Sequence, residues 1–75
     1  MNLKIFTTPT CVKCKAIKRY LEGVDVEVEY VDATTPEGKK LASEAGVMSA
    51  PTILVFDDGK QIGTAHDMDE LEEYL

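Results

Sequence analysis

Residues 8–21 read Thr8-Pro9-Thr10-Cys11-Val12-Lys13-Cys14-Lys15-Ala16-Ile17-Lys18-Arg19-Tyr20-Leu21. The opening Thr-Pro-Thr breaks the chain, and a helical pattern follows. Cys14, Ile17 and Leu21 recur at i, i+3 and i+7, with Ala16 and Tyr20 beside them, which is the spacing of one buried helix face. Thr10 can cap this helix and Gly23 can end it. Cys11 then lies in the first turn, where unpaired amide N–H groups and the positive end of the helix dipole favour thiolate over thiol. Cysteines in such places ionise well below the usual thiol range. Lys13 and Lys15, and at longer range Lys18, add positive potential. Cys14, one turn on, shares the inward stripe. The spacing predicts an exposed nucleophile at Cys11 and a sheltered resolving thiol at Cys14. Residues three apart on a helix meet disulfide geometry without large distortion. A Cys11–Cys14 bridge closes too small a loop to stabilise much, so the pair is better suited to chemistry than to support.

The flanks give the pair its setting. Leu3-Lys4-Ile5-Phe6-Thr7 is a short β-prone run that stops at Thr8-Pro9-Thr10. Val24–Asp32 sets Val24, Val26, Val28 and Tyr30 against Asp25, Glu27 and Glu29, the alternation of a half-buried strand. Thr34-Thr35-Pro36-Glu37 reads as a helix start with Pro near N1. The helix Glu37–Ala45 stops at Gly46. A loop, Val47-Met48-Ser49-Ala50-Pro51, follows, with Met48 expected to pack below Pro51. Thr52–Phe56 is an apolar strand beyond its first residue. Asp57-Asp58-Gly59-Lys60 is a hairpin turn, Gln61–Ala65 a shorter strand, and Asp67 or Asp69 caps a last helix reaching Leu75. The order is β-α-β-α-β-β-α. The first three elements predict a right-handed parallel crossover, and the hairpin adds an antiparallel pair. The fold class is α/β, a mixed four-stranded sheet with helices on its faces.

The chain has 75 residues, 8 Lys or Arg against 14 Asp or Glu, and a formal charge of −6. One domain, residues 1–75, is expected at this length. The acidic balance argues against nucleic acid as a partner. The longest apolar run, Ile53–Phe56, is four residues, far short of the roughly 18 a membrane span needs. Met1–Phe6 shows no leader pattern, so a cytoplasmic protein with no membrane partner is expected. The charge is also uneven. Residues 1–20 hold five cations (Lys4, Lys13, Lys15, Lys18, Arg19) and no acidic residue; residues 21–75 hold three positive and fourteen negative side chains, a net of −11. A Cys-x-x-Cys pair can be half of a zinc site, but a full site needs four ligands. Only His66 and no second cysteine pair are available. No metal ligand set and no bound cofactor are therefore expected within one chain. A metal or iron–sulfur module shared between two chains, and a pair of inert core cysteines, remain alternatives. His66 has two readings, an exposed residue at a helix start or a neighbour of the redox site. Tyr20 and Tyr30 read as core or rim residues.

Thr8-Pro9-Thr10-Cys11-Val12-Lys13-Cys14, the helix after it, Ala50-Pro51-Thr52 and the Asp58-Gly59 hairpin together resemble the thioredoxin-fold superfamily. The length and the start at the first strand are similar to its glutaredoxin-like branch. Thr7–Leu21 resembles the redoxins that serve ribonucleotide reductase, and Gly46–Thr52 resembles thioredoxin itself. The resemblance implies a sheet of order 2-1-3-4, with strand 3 antiparallel to strand 1 and three flanking helices. It implies a cis-proline at Pro51 facing the cysteines, and Ala50 backbone pairing with substrate. Thr10, Val12, Lys13 and Asp67 become further substrate contacts. The implied activity is protein-disulfide reduction by a small monomeric electron carrier. Its implied partners are thioredoxin reductase or another flavin disulfide reductase on one side and disulfide-containing proteins, ribonucleotide reductase among them, on the other. The alternative is a glutathione-dependent glutaredoxin. Such proteins usually carry Cys-Pro-Tyr-Cys and a Gly-Gly followed by an acidic residue; here Val12-Lys13 replaces Pro-Tyr, and Gly63 stands alone before Asp67. Asp67 thus has two readings, a glutathione contact or a helix cap. The Trp-Ser-Gly-Phe-x-Pro segment typical of ribonucleotide-reductase redoxins is missing, since the chain has no Trp. Asn2 lies near the place where thioredoxins carry a buried aspartate.

Overall fold

A computed structural model describes residues 1–75. The elements are β1 (Asn2–Thr7), α1 (Val12–Leu21), β2 (Glu27–Asp32), α2 (Pro36–Ala45), β3 (Thr52–Asp57), β4 (Lys60–Ala65) and α3 (Met68–Glu72). The sheet order is β2-β1-β3-β4. β1 runs parallel to β2 and antiparallel to β3, and β3 runs antiparallel to β4. This is the mixed four-stranded sheet expected from the residues, in the thioredoxin-fold order that the resemblance implies. No helix is long and apolar enough to cross a membrane.

Two clusters cover the two sheet faces, because successive strand side chains point to opposite sides. Leu3, Ile5, Ile53, Val55 and Ala65 meet Ile17 and Leu21 of α1 and Leu71 of α3. Phe6, Val31 and Leu54 meet Ala42 of α2. β2 begins three residues later than the alternation suggests. Its first pair is Asn2↔Glu27, so β1 offers Val24 and Val26 no strand partner. Both valines still pack against the α1 core. The hairpin turns through Asp58 and Gly59 at φ 54° and 80°, the positive values of a type I′ turn.

α2 is fixed at both ends by local chemistry. Thr35 caps it, its Oγ1 accepting from Gly38 N–H at 2.9 Å, and Pro36 opens the first turn. At the other end Gly46 adopts φ 73°. Val47 N–H then donates to Ala42 O at 2.8 Å and Gly46 N–H to Ser43 O at 3.2 Å, the paired bonds of a Schellman stop. This turn directs Val47 inward onto the Phe6 cluster. Met48, next along, is therefore 97 % exposed; it does not pack below Pro51 as the sequence suggests.

Gly38 has a second constraint. A Cβ there would collide with the backbone carbonyl of Asp32. Asp32 is itself pinned, its carboxylate accepting from Thr34 N–H at 2.8 Å and Thr34 Oγ1 at 2.6 Å. These bonds, the hydroxyl's first, hold the Asp32 carboxyl below its ordinary range. Gly38→Ala, which in an unconstrained helix adds roughly 1 kcal/mol, is expected to lower stability by about 1–3 kcal/mol. A urea midpoint that stays level or rises in this variant would show that the Asp32 turn yields. A lowered folded-state value means Asp32 contributes stability above the ordinary aspartate range and loses it as pH falls through that value. Thr34→Val removes the hydroxyl, so its stability deficit at neutral pH should close on acidification; a deficit that does not vary with pH would refute the linkage.

Candidate active site

Leaving β1 at Thr7, the chain makes one turn in which Cys11 N–H donates to Thr8 O at 3.1 Å. That turn leaves Cys11 extended at φ −78°, ψ 105°, so Cys11 rather than Thr10 is the N-cap of α1. Its Sγ accepts from Cys14 N–H at 3.1 Å. The sulfur thus takes the place of a capping oxygen and receives an amide that would otherwise lack a partner. Cys11 and Cys14 form a disulfide, with Cα atoms 5.3 Å apart. Their surroundings differ. Cys11 is half-buried. Cys14 is 8 % exposed, above the buried Ile17 and Leu21. The first turn of α1 holds no acidic residue, so the field at the sulfur is positive.

The register Phe6↔Thr52 makes the Thr8–Cys11 turn and the Gly46–Pro51 loop leave the sheet at the same end. Pro51 is buried and Ala50 half-buried, and the peptide bond between them is cis. A groove of about 600 Å³ beside this loop is lined by Thr8, Lys39, Ser43, Met48 and Ala50 among others. Lys39 and Ser43 carried no signal in the sequence, because both sit at ordinary helix-surface positions. A second groove, about 280 Å³, brings Lys13 and Ala16 of α1 against Asp67, Met68 and Asp69. The structure therefore brings the two cysteines together in a disulfide, puts Thr8 and Ala50 on one groove and Lys13 and Asp67 on another. Thr10 and Val12 project into solvent. No cluster of three or more His, Cys, Asp or Glu side chains is positioned to hold a metal ion.

The family model described as Glutaredoxin matches residues 3–62. The chain is 35 % identical over 81 aligned positions to the SPbeta prophage-derived thioredoxin-like protein YosR of Bacillus subtilis, covering 100 % of this chain and 99 % of that protein. It is 38 % identical over 69 positions to the thioredoxin of Methanocaldococcus jannaschii, covering 84 % and 79 % respectively. Among solved structures, thioredoxin 1 of Thermosipho africanus superimposes with a TM-score of 0.73 over 99 % of this chain and 93 % of that one. Its identity is 22 %, so this likeness speaks for the fold alone.

The family match ends before α3, and the role of Asp67 there is read from geometry. Asp67 Oδ1 accepts from Glu70 N–H at 2.9 Å, while Glu70 Oε2 accepts from His66 N–H at 3.0 Å. This reciprocal arrangement caps a helix of five residues. His66 Nδ1 lies 3.5 Å from the same Glu70 oxygen, and His66 also lines a cavity of about 270 Å³ with the Gly46–Ser49 segment. Asp67→Ala is expected to lower stability by about 1 kcal/mol, and Asp67→Asn by no more than a few tenths, since Asn caps nearly as well. Equal stability of the two variants in urea would remove the capping role.

Proposed function

We propose, from the premise that this chain belongs to the glutaredoxin family and is a dithiol–disulfide oxidoreductase, that Cys11 attacks the substrate disulfide and Cys14 resolves the intermediate. The carrying observation is the unequal setting of the two sulfurs: Cys11 at the helix cap with a donated amide, and Cys14 buried behind it. In the reduced protein the Cys11 thiolate attacks one sulfur of the substrate disulfide. A Cys11–substrate bond forms, the substrate S–S bond breaks, and the second substrate sulfur leaves as thiolate and takes a proton. Cys14, as thiolate, then attacks Cys11 Sγ, forming the internal disulfide and releasing the first substrate sulfur. Two electrons pass from the protein dithiol to the substrate. The released thiols take up the two protons that the cysteines lose.

A flavin disulfide reductase of the thioredoxin-reductase kind is the electron donor in this reading. Val12-Lys13 between the cysteines and the thioredoxin relatives support it. The capping bond that Asp67 Oδ1 accepts from Glu70 N–H gives this carboxylate a structural role that does not depend on glutathione. Substrates are proteins with accessible disulfides. The Ala50 backbone, on the loop that leaves the sheet at the same end as the Cys11 turn, is where an extended substrate segment would pair, with Thr10, Val12 and Lys13 as the surrounding contacts.

Cys11→Ser should reduce disulfide turnover to background, and Cys14→Ser should accumulate a mixed disulfide visible by intact mass. Full turnover by the Cys11 variant would overturn the mechanism. Run side by side, NADPH with a thioredoxin reductase should support turnover, whereas glutathione with glutathione reductase should not. The opposite outcome would make glutathione the donor.

A further inference from the structure

The outward surface of α1 is not explained by thiol chemistry. Val12, Lys15, Ala16, Arg19 and Tyr20 fall at i, i+3, i+4, i+7 and i+8, one side of the helix. Together they line a shallow groove of about 500 Å³. Val12 is 81 % exposed and Tyr20 38 %. Val12, Ala16 and Tyr20, spaced by four, make an apolar ridge. Lys15 and Arg19, also spaced by four, make a cationic row beside it. Neither cation has a carboxylate partner, since the molecule's ion pairs are Lys4–Glu29 and His66–Glu70. Lys18 is different: its ammonium lies 5.6 Å from the centroid of the Tyr30 ring. A single exposed apolar residue requires no explanation. Here three in a row run alongside unpaired cations, and the row starts at the residue next to the reactive sulfur.

We propose that this stripe docks an acidic surface of the protein whose disulfide Cys11 attacks, so that substrates are selected by charge. The proposal deepens the redox reading above and rests on it. Charge complementarity identifies the occupant. The five charged side chains of residues 1–20 are all cationic, while residues 21–75 carry a net of −11. An acidic protein is therefore repelled by most of the molecule and attracted along α1. Approach on that side brings its disulfide to Cys11, adjacent to Val12. The apolar ridge then gives the docked partner area to bury, and the cations set its orientation. Steering of this kind changes association rates by roughly 10 to 10³-fold at low salt. A second copy of the chain is a poorer occupant, because two molecules of charge −6 repel at long range.

The test uses three disulfide-cyclised peptides that share one cystine core and are flanked by Glu, Ser or Lys. The oxidation rate of the reduced protein by each is divided by its rate with hydroxyethyl disulfide, so that altered thiol reactivity cancels. At low salt the Glu peptide should react about tenfold faster than the Lys peptide. The ratio should collapse towards one at about 0.5 M salt, where charges are screened within a few ångströms. Lys15→Glu with Arg19→Glu should abolish or invert the ratio. A charge-matched control, Lys40→Glu with Lys60→Glu, should keep most of it. Equal rates in the natural protein, or equal loss in both double variants, would overturn the stripe as the docking site. So would self-association in sedimentation that only the α1 variant loses, together with a flat peptide ratio; the occupant would then be a second copy. Failure to reduce hydroxyethyl disulfide and all three peptides would overturn the redox reading and this proposal together. A flat peptide ratio with hydroxyethyl disulfide turnover intact overturns the docking proposal alone.

Discussion

β1 is hydrogen-bonded along both edges, to β2 in parallel and to β3 antiparallel, and the placement of every functional group depends on this. Its side chains are buried on both faces: Leu3 and Ile5 under α1 and α3, Phe6 under α2. A strand held this way cannot slip by one residue without exchanging its two faces. Its end is therefore a fixed point. From there the chain turns once into α1, and the antiparallel neighbour β3 arrives at the same point from the Ala50–Pro51 loop. The sulfurs come from one strand end and the candidate substrate loop from the adjacent strand start. Neither needs a long or specialised connection.

The sequence locates the elements well where its signal is periodic. The i, i+3, i+7 stripe of α1 and the apolar Thr52–Phe56 run name the residues that the two cores use. It locates them less well where the outcome rests on pairing. Val24 and Val26 alternate as strand residues do, but whether they pair depends on where β1 begins. The cap of α1 also lies one residue beyond the one that residue type favours. Thr10 is the better capping residue by type, yet the Thr8–Cys11 turn hands that position to a sulfur. Met48 fails for a similar reason: a Schellman stop orients Val47 inward and Met48 outward, and this choice is made by hydrogen bonds rather than by hydropathy. The cysteine pair was legible because its spacing and its position between strand and helix both carry meaning. Lys39 and Ser43 were not, since proximity to Ala50 across a groove leaves no local pattern.

The charge distribution and the cap act on the same atom. Cys11 Sγ accepts the Cys14 amide, and no acidic side chain stands in the first turn of α1. Acidic residues stand instead at the other helix starts, Glu37 in the first turn of α2 and Asp67 and Glu70 in the α3 cap, and along β2. Placing the anions away from α1 keeps the molecule strongly charged while leaving one helix start positive. That positive end acts over a short range on the thiol. The cations farther along α1 act over about a Debye length on whatever approaches.

The two cores are unequal, and the inequality suits a bond that must open and close. Eight buried residues form the cluster under α1 and α3, against four under α2. Ile17 and Leu21 hold α1 to the larger cluster on the stripe that also carries Cys14. Loop-closure entropy for a bridge across three residues amounts to about 2 kcal/mol, against about 4.7 for a loop of 100 residues. Burying two aliphatic side chains contributes about 3–6 kcal/mol. The packing of α1, rather than the disulfide, is therefore what positions the sulfurs. Reduction removes the smaller contribution and leaves the helix seated. A carrier that alternates between dithiol and disulfide needs this ordering, because a helix that depended on its disulfide would lose its own cap, and with it the donated amide at Cys11, each time the bond opened.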